Sequence, residues 1–103
     1  MRRVVVTGLG TINPLGNSVK SSWSSLINSN SGISKITKFE VDNYPCKIAG
    51  SIDDSKINDE IVSSRDQRKV DRFITLGLIA ADEAIRDSGI VSENEDSFRS
   101  GVM

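Results

Sequence analysis

Nine residues near the start constrain this chain more than any others: Arg2-Arg3-Val4-Val5-Val6-Thr7-Gly8-Leu9-Gly10. Three consecutive valines without polar alternation suit a strand covered on both faces, as in the middle of a parallel sheet. The glycines and then Asn13-Pro14-Leu15-Gly16-Asn17 turn the chain. Asn17 or Ser18 is placed to cap a following helix. Strand, turn and helix in that order predict an α/β domain.

A strand that runs into glycines invites a dinucleotide-binding reading, and the spacing argues against it. The fingerprint needs G-x-G-x-x-G, its third glycine allowing close helix–strand packing. Asn13 stands at that third position, and a loop through Gly16 intervenes before the helix. No acidic residue follows about twenty positions on to take a ribose hydroxyl. Gly8 and Gly10 are read instead as left-handed positions in a tight turn.

Bulk properties exclude several classes. With 103 residues the chain is long enough to bury a core. A net charge of −1 gives no general attraction to nucleic acid or to a membrane surface. The Val4–Val6 run is far shorter than a signal-peptide core, and no apolar run approaches the roughly twenty residues of a membrane span. A single cysteine leaves no disulfide framework, as expected of a cytoplasmic protein.

Helical periodicity appears twice. Over about Ser18 to Asn28, Val19, Trp23, Leu26 and Ile27 form one apolar stripe, which assigns Trp23 to a core. The run Asn28-Ser29-Asn30-Ser31-Gly32 ends that helix. Between residues 33 and 62 the pattern is weaker. Tyr44-Pro45 favours extended chain, Lys47-Ile48-Ala49-Gly50 suits a short edge strand, and Asp53, Asp54, Asp59 and Glu60 suit a solvated loop. Ser64-Arg65-Asp66-Gln67 then fits a capping box with Ser64 as N-cap. It opens a long helix that stops at Ser88-Gly89.

Val70, Phe73, Ile74, Gly77, Ala80, Ala81, Ala84 and Ile85 share one broad face of that helix, with Leu76 and Ile79 opposite. Such a helix suits enclosure within a larger domain. Asp82 and Arg86 form an i, i+4 pair facing solvent. Phe98-Arg99-Ser100-Gly101-Val102-Met103 reads as the entry to a second core strand, so the chain is expected to be a fragment of one domain.

The first turns of the long helix break a local rule. Arg65, Arg68, Lys69 and Arg72 recur at i, i+3, i+4 and i+7, so a continuous helix would gather four cations on one face. Cations at a helix N-terminus oppose the macrodipole. Asp66 and Asp71 offset part of this. A rule broken with only partial local compensation is a place to look for function, and an ordinary solvated charged face explains it equally well.

Taken in order, RRVVVTGLG, PLGN, Trp23 with Leu26, Ser31-Gly32-Ile33 and Arg68-Lys69-Val70-Asp71-Arg72-Phe73 resemble β-ketoacyl-acyl carrier protein synthases of the KAS II type. The resemblance covers residues 1–103 and only the N-terminal portion of such enzymes. It implies the N-terminal part of a thiolase-like fold: core strand, helix, irregular insertion, long central helix and the start of a second core strand. It also implies a decarboxylative condensation of malonyl-carrier protein with an enzyme-bound acyl chain, in which no metal, nucleotide or other cofactor takes part.

The family's nucleophilic cysteine and two histidines belong to later segments, so no catalytic residue is expected here. Cys46 follows Pro45 in an expected loop, in a chain without histidine, and is read as structural. The acidic acyl carrier protein is the expected partner, docking on Arg65, Arg68 and Lys69. Arg72 extends the same face but is not a position that the family pattern marks. A homodimer is the family's usual assembly. Polyketide ketosynthases, chain-length factors and KAS I enzymes share the pattern and stay open. So does a short non-catalytic module that binds an acidic partner through the basic face.

Overall fold

Ser18 starts the first helix through a reciprocal box. Its hydroxyl accepts from the Ser21 amide at 3.1 Å while its own amide donates to Ser21 Oγ at 3.1 Å, so two amides that the helix leaves unpaired are satisfied. This helix, α1, spans Val19–Ile27. It ends where Asn28 Nδ2 donates to the Ser24 carbonyl and Ser29 turns left-handed at φ 57°.

The computed structural model describes residues 1–57, 59–90 and 92–103. After α1 come β1 (Ile33–Lys35) and β2 (Ile48–Gly50), paired antiparallel with Ile33 opposite Gly50. A single-turn helix α2 (Ser64–Gln67) and the long α3 (Arg72–Ser88) follow. Short 3₁₀ turns lie at Asp54–Lys56, Ser92–Asn94 and Ser97–Arg99. The edge strand expected at 47–50 is β2. Its partner β1 carries no alternating pattern, and its three residues are all exposed.

The N-terminal segment lies along α3 in a register of two residues to four. Leu9 N donates to Asp87 Oδ2 and Thr11 N to Glu83 Oε2, both at 2.9 Å. Between these donors, a Cβ on Gly8 would fall 2.6 Å from Ser88 N, and one on Gly10 would fall 2.7 Å from Ala84 N. Two extended residues advance about as far as four helical ones, roughly 6 to 7 Å. Alternate glycines therefore meet the Ala80, Ala84, Ser88 stripe turn by turn. The tight-turn reading of these glycines is corrected: among the described residues only Gly89 has a positive φ for a glycine. Gly8 and Gly10 serve close backbone approach.

Asn13 closes the turn that follows. Its backbone exchanges both hydrogen bonds with Gly16 at 3.0 and 3.1 Å, and its Oδ1 accepts from Leu15 N. Its Nδ2 donates to Ser22 Oγ at 2.9 Å, which satisfies the one residue of α1 that is buried. Glu83 ties the helix to α3, because its second oxygen accepts from Val19 N at 2.9 Å.

Three expectations are corrected. Val4–Val6 and the Phe98–Met103 stretch form no strand, Phe98 and Arg99 lying in a 3₁₀ turn, because a strand needs neighbouring chain to take its backbone hydrogen bonds and none lies alongside among the described residues. Trp23 is not core but 62% exposed, and on α3 Phe73, Ile74, Gly77, Ala81 and Ile85 face outward while Thr75 and Ile79 are buried. The long helix is two helices, capped at Ser63 rather than Ser64 and interrupted at 68–71.

The exposed surface totals 8818 Å², against about 5,700 Å² for a compact protein of this mass. The radius of gyration is 17.1 Å, against about 13 Å for a compact domain of this length. Apolar faces of α1 and α3 are left without a covering layer.

Candidate functional site

The four cations singled out in the sequence are parted by the break between α2 and α3. Ser63 caps α2: its Oγ accepts from Asp66 N at 3.2 Å and donates to Asp66 Oδ2 at 2.8 Å. The helix then stops at Arg68, and Asp71 takes extended backbone at ψ 149° before α3 begins. Val70 is β-branched and Asp71 is an N-cap residue type, so both favour a new start over continuation.

Arg65, Arg68 and Lys69 remain exposed on α2 and its C-terminal turn. Arg68 Nε folds back to the Ser64 carbonyl at 3.2 Å, and Lys69 Nζ stands 3.4 Å from Asp66 Oδ1. Arg72 departs from this group. Its Nε and Nη2 lie 2.8 and 2.6 Å from Asp54 Oδ1, and Nη2 also donates to the Ile52 carbonyl at 3.0 Å. A guanidinium held at three points is committed to its own chain.

The acidic loop expected to be merely solvated carries structure. Asp54 accepts from Lys38 Nζ at 2.8 Å through its other oxygen, and Lys38 first, then Arg72, hold its carboxyl below the usual carboxylate range. Hydrogen bonds from Ser55 do the same for Asp53. Asp59 accepts from Ser64 Oγ and, at 2.9 Å, from Gln67 Nε2, which also reaches the Val62 carbonyl at 2.7 Å. The corner therefore presents three exposed cations on a single helical turn, braced by carboxylates from the preceding loop.

Sequence reasoning missed Asp54, Asp59, Glu83 and Asp87 as organising groups. Glu83 and Asp87 had a usable signal, since Gly8-x-Gly10 matches the small residues Ala80, Ala84 and Ser88 four apart. Asp54 had none, because its partners lie 16 and 18 residues away. Cys46 is exposed, and its thiol donates to the Ile48 carbonyl at 3.4 Å. A separate open groove of about 720 Å³ is lined by Leu9, Val19, Trp23 and Ile79 with Glu83 and Arg86. Among the described residues, no helix is long and apolar enough to cross a membrane.

The family described as "Beta-ketoacyl synthase, N-terminal domain" matches residues 1–103. The chain is 43% identical over 101 residues to the 3-oxoacyl-[acyl-carrier-protein] synthase 2 of Vibrio harveyi, covering 98% of this chain and 24% of the relative. It is 41% identical over 110 residues to the enzyme of the same name from Rhizobium meliloti, covering 100% of this chain and 26% of that one. For the Staphylococcus aureus N315 enzyme of that name the identity is 35% over 101 residues, covering 98% and 24%. The chain thus spans about a quarter of the length of the curated relatives it matches.

Proposed function

We propose that this chain, which belongs to the β-ketoacyl synthase N-terminal-domain family, works as the N-terminal portion of a 3-oxoacyl-[acyl-carrier-protein] synthase of fatty acid biosynthesis. The observation that carries the reading is similarity along the whole chain to relatives whose name states that activity. In such an enzyme a cysteine thiolate takes an acyl group from a carrier thioester. Malonyl-carrier protein then loses carbon dioxide, and the resulting carbanion attacks the acyl-enzyme, releasing the thiolate and leaving a chain two carbons longer.

This segment contributes no catalytic side chain to that reaction. It has no histidine, and Cys46 is an exposed thiol that donates to the Ile48 carbonyl of the neighbouring strand. Its part is structural and recognitive. Val4–Val6 becomes a core strand, and the outward face of α3 is covered, once the rest of a thiolase-like domain is present. The uncovered faces of α1 and α3 support this reading, because isolated soluble domains rarely leave such apolar surface in contact with water. Cytoplasmic location, homodimer formation and chemistry without a cofactor belong to the same proposal.

Arg65, Arg68 and Lys69 form one side of the surface that receives the acidic acyl carrier protein. Rim charges of this kind steer encounter and orientation more than they add final affinity. In the full-length enzyme, reversing Arg68 and Lys69 to glutamate is expected to slow carrier-protein association by about tenfold at low salt and to flatten its salt dependence. Stopped-flow association measured across ionic strength checks this, and unchanged rates at low salt would remove these residues from the docking surface. The intact mass of the native protein tests the wider reading. A species several times heavier than 11.2 kDa supports it, and one at that mass leaves only a binding module.

A further inference from the structure

The loop that follows β2 touches the basic corner from both ends. Asp54 holds Arg72, the first residue of α3, and Asp59 holds Ser64 and Gln67, the first and last residues of α2. A helix of one turn is far too short to hold its own shape. Among the described residues, no backbone hydrogen bond joins α2 to α3 across the break at 68–71. The side chains supply that link. Arg72 spans two acceptors in the loop, Asp54 Oδ1 and the Ile52 carbonyl, and Asp54 is anchored in turn to Lys38 from the segment after β1.

We propose that Asp54 and Arg72 form a latch that sets the direction in which the 68–71 turn presents Arg68 and Lys69 to an acidic partner. Both are positioning residues, and Arg72 acts on its own loop rather than on the partner. The inference rests on the carrier-docking reading above and goes beyond it. It removes Arg72 from the contact set and adds a carboxylate, which simple charge complementarity would count as harmful.

That difference gives the test its sign. In the full-length enzyme, Asp54→Asn makes the corner more positive and frees Arg72. Were Arg72 a direct contact, the KM for an acyl-carrier-protein substrate would fall. Loss of the latch is instead expected to raise that KM about two- to fivefold, the scale of one displaced surface charge contact. The kcat, and the kinetics with the same acyl group on a short pantetheine thioester, stay unchanged. Asp54→Glu restores part of the effect.

Arg72→Lys is the second probe, read beside thermal melting in case Asp54→Asn folds poorly. Lysine keeps the charge but cannot span two acceptors in a fixed fork, so a latch predicts a raised KM here as well, while the sign of Asp54→Asn separates latch from direct contact. An unchanged or lowered carrier KM in either folded variant overturns the latch. Equal losses with carrier and short thioester overturn it too, since they mark a general structural role. Paired Arg68→Glu and Lys69→Glu in the same assay separate the two claims. If that pair leaves the carrier KM unchanged, the docking reading fails. If the pair raises it and Asp54→Asn does not, only the latch fails.

Discussion

Two joints in this chain use carboxylates, and they use them in opposite ways. Where the N-terminal segment meets α3, Glu83 and Asp87 accept from backbone amides of Thr11, Val19 and Leu9. At the basic corner, Asp54 and Asp59 accept from the side chains of Lys38, Arg72, Ser64 and Gln67. Backbone donors have no rotamers to lose and no alternative pose, so the first joint is rigid and sensitive to a single methyl group. Side-chain donors on an exposed surface compete with water and salt, so the second joint is adjustable. Rigidity lies where the fold is assembled, and adjustability lies where a partner is expected.

The contrast between the joints breaks most easily at the glycines. Gly10→Ala in the full-length protein places a Cβ against the Ala80 carbonyl and Ala84 amide. Overpacking of this kind costs about 1–3 kcal/mol or more, visible as a lowered denaturation midpoint. Gly77→Ala is the control, since a Cβ there meets nothing within 4 Å. By helix propensity it should stabilise α3 of this chain by about 1 kcal/mol. Should it destabilise the longer protein, another segment packs on that face.

Glu83→Ala comes next. It leaves the amides of Thr11 and Val19 without their acceptor in a part-buried joint, at a cost of about 1–3 kcal/mol. Glu83→Gln keeps one carbonyl acceptor and should recover part of that loss in the same denaturation experiment. Ser18→Ala removes one half of the α1 capping box and should cost about 1 kcal/mol. A change near zero for Ser18 would mean that Glu83, which also reaches the first residue of α1, is the true cap.

The smallest effect belongs to the exposed joint. The Asp54 carboxyl is held below its usual value of 3.8, first by Lys38 and then by Arg72. A carboxyl whose folded-state pKa is depressed adds stability that is fully present above its unfolded pKa. That stability is lost as pH falls through the lower folded value. The latch should therefore hold unchanged through neutral pH and open only below about pH 4. Asp54→Asn should flatten this acid limb of a melting curve slightly, and an unaltered limb would show that the pair adds no net stability.

Much of the chain is legible from residue order alone. Ser18, the Asn28–Gly32 stop and the left-handed Gly89 mark helix ends because capping is satisfied by residues within a turn of each other. The Asp82–Arg86 pair forms at 2.8 Å as its spacing predicts. The basic corner was less legible. Periodicity continues through Arg68-Lys69-Val70-Asp71 as though one helix ran on, Val70 and Asp71 give only a weak local signal for a new start, and the extended backbone of Asp71 places the break. Which of these cations is paired to the preceding loop then depends on Asp54, 18 residues before Arg72.

Local spacing and residue type were enough to establish where α1 begins, where α1 and α3 end, and which family the chain resembles. Three further facts came from the folded arrangement alone. Gly8 and Gly10 are spacers against α3, Arg72 is bound to its own loop, and the valines remain unpaired in this chain. The physical reason is common to all three. Close approach, ion pairing across loops and sheet hydrogen bonding each need a second segment at a particular place, and no pattern within one segment specifies where that neighbour lies.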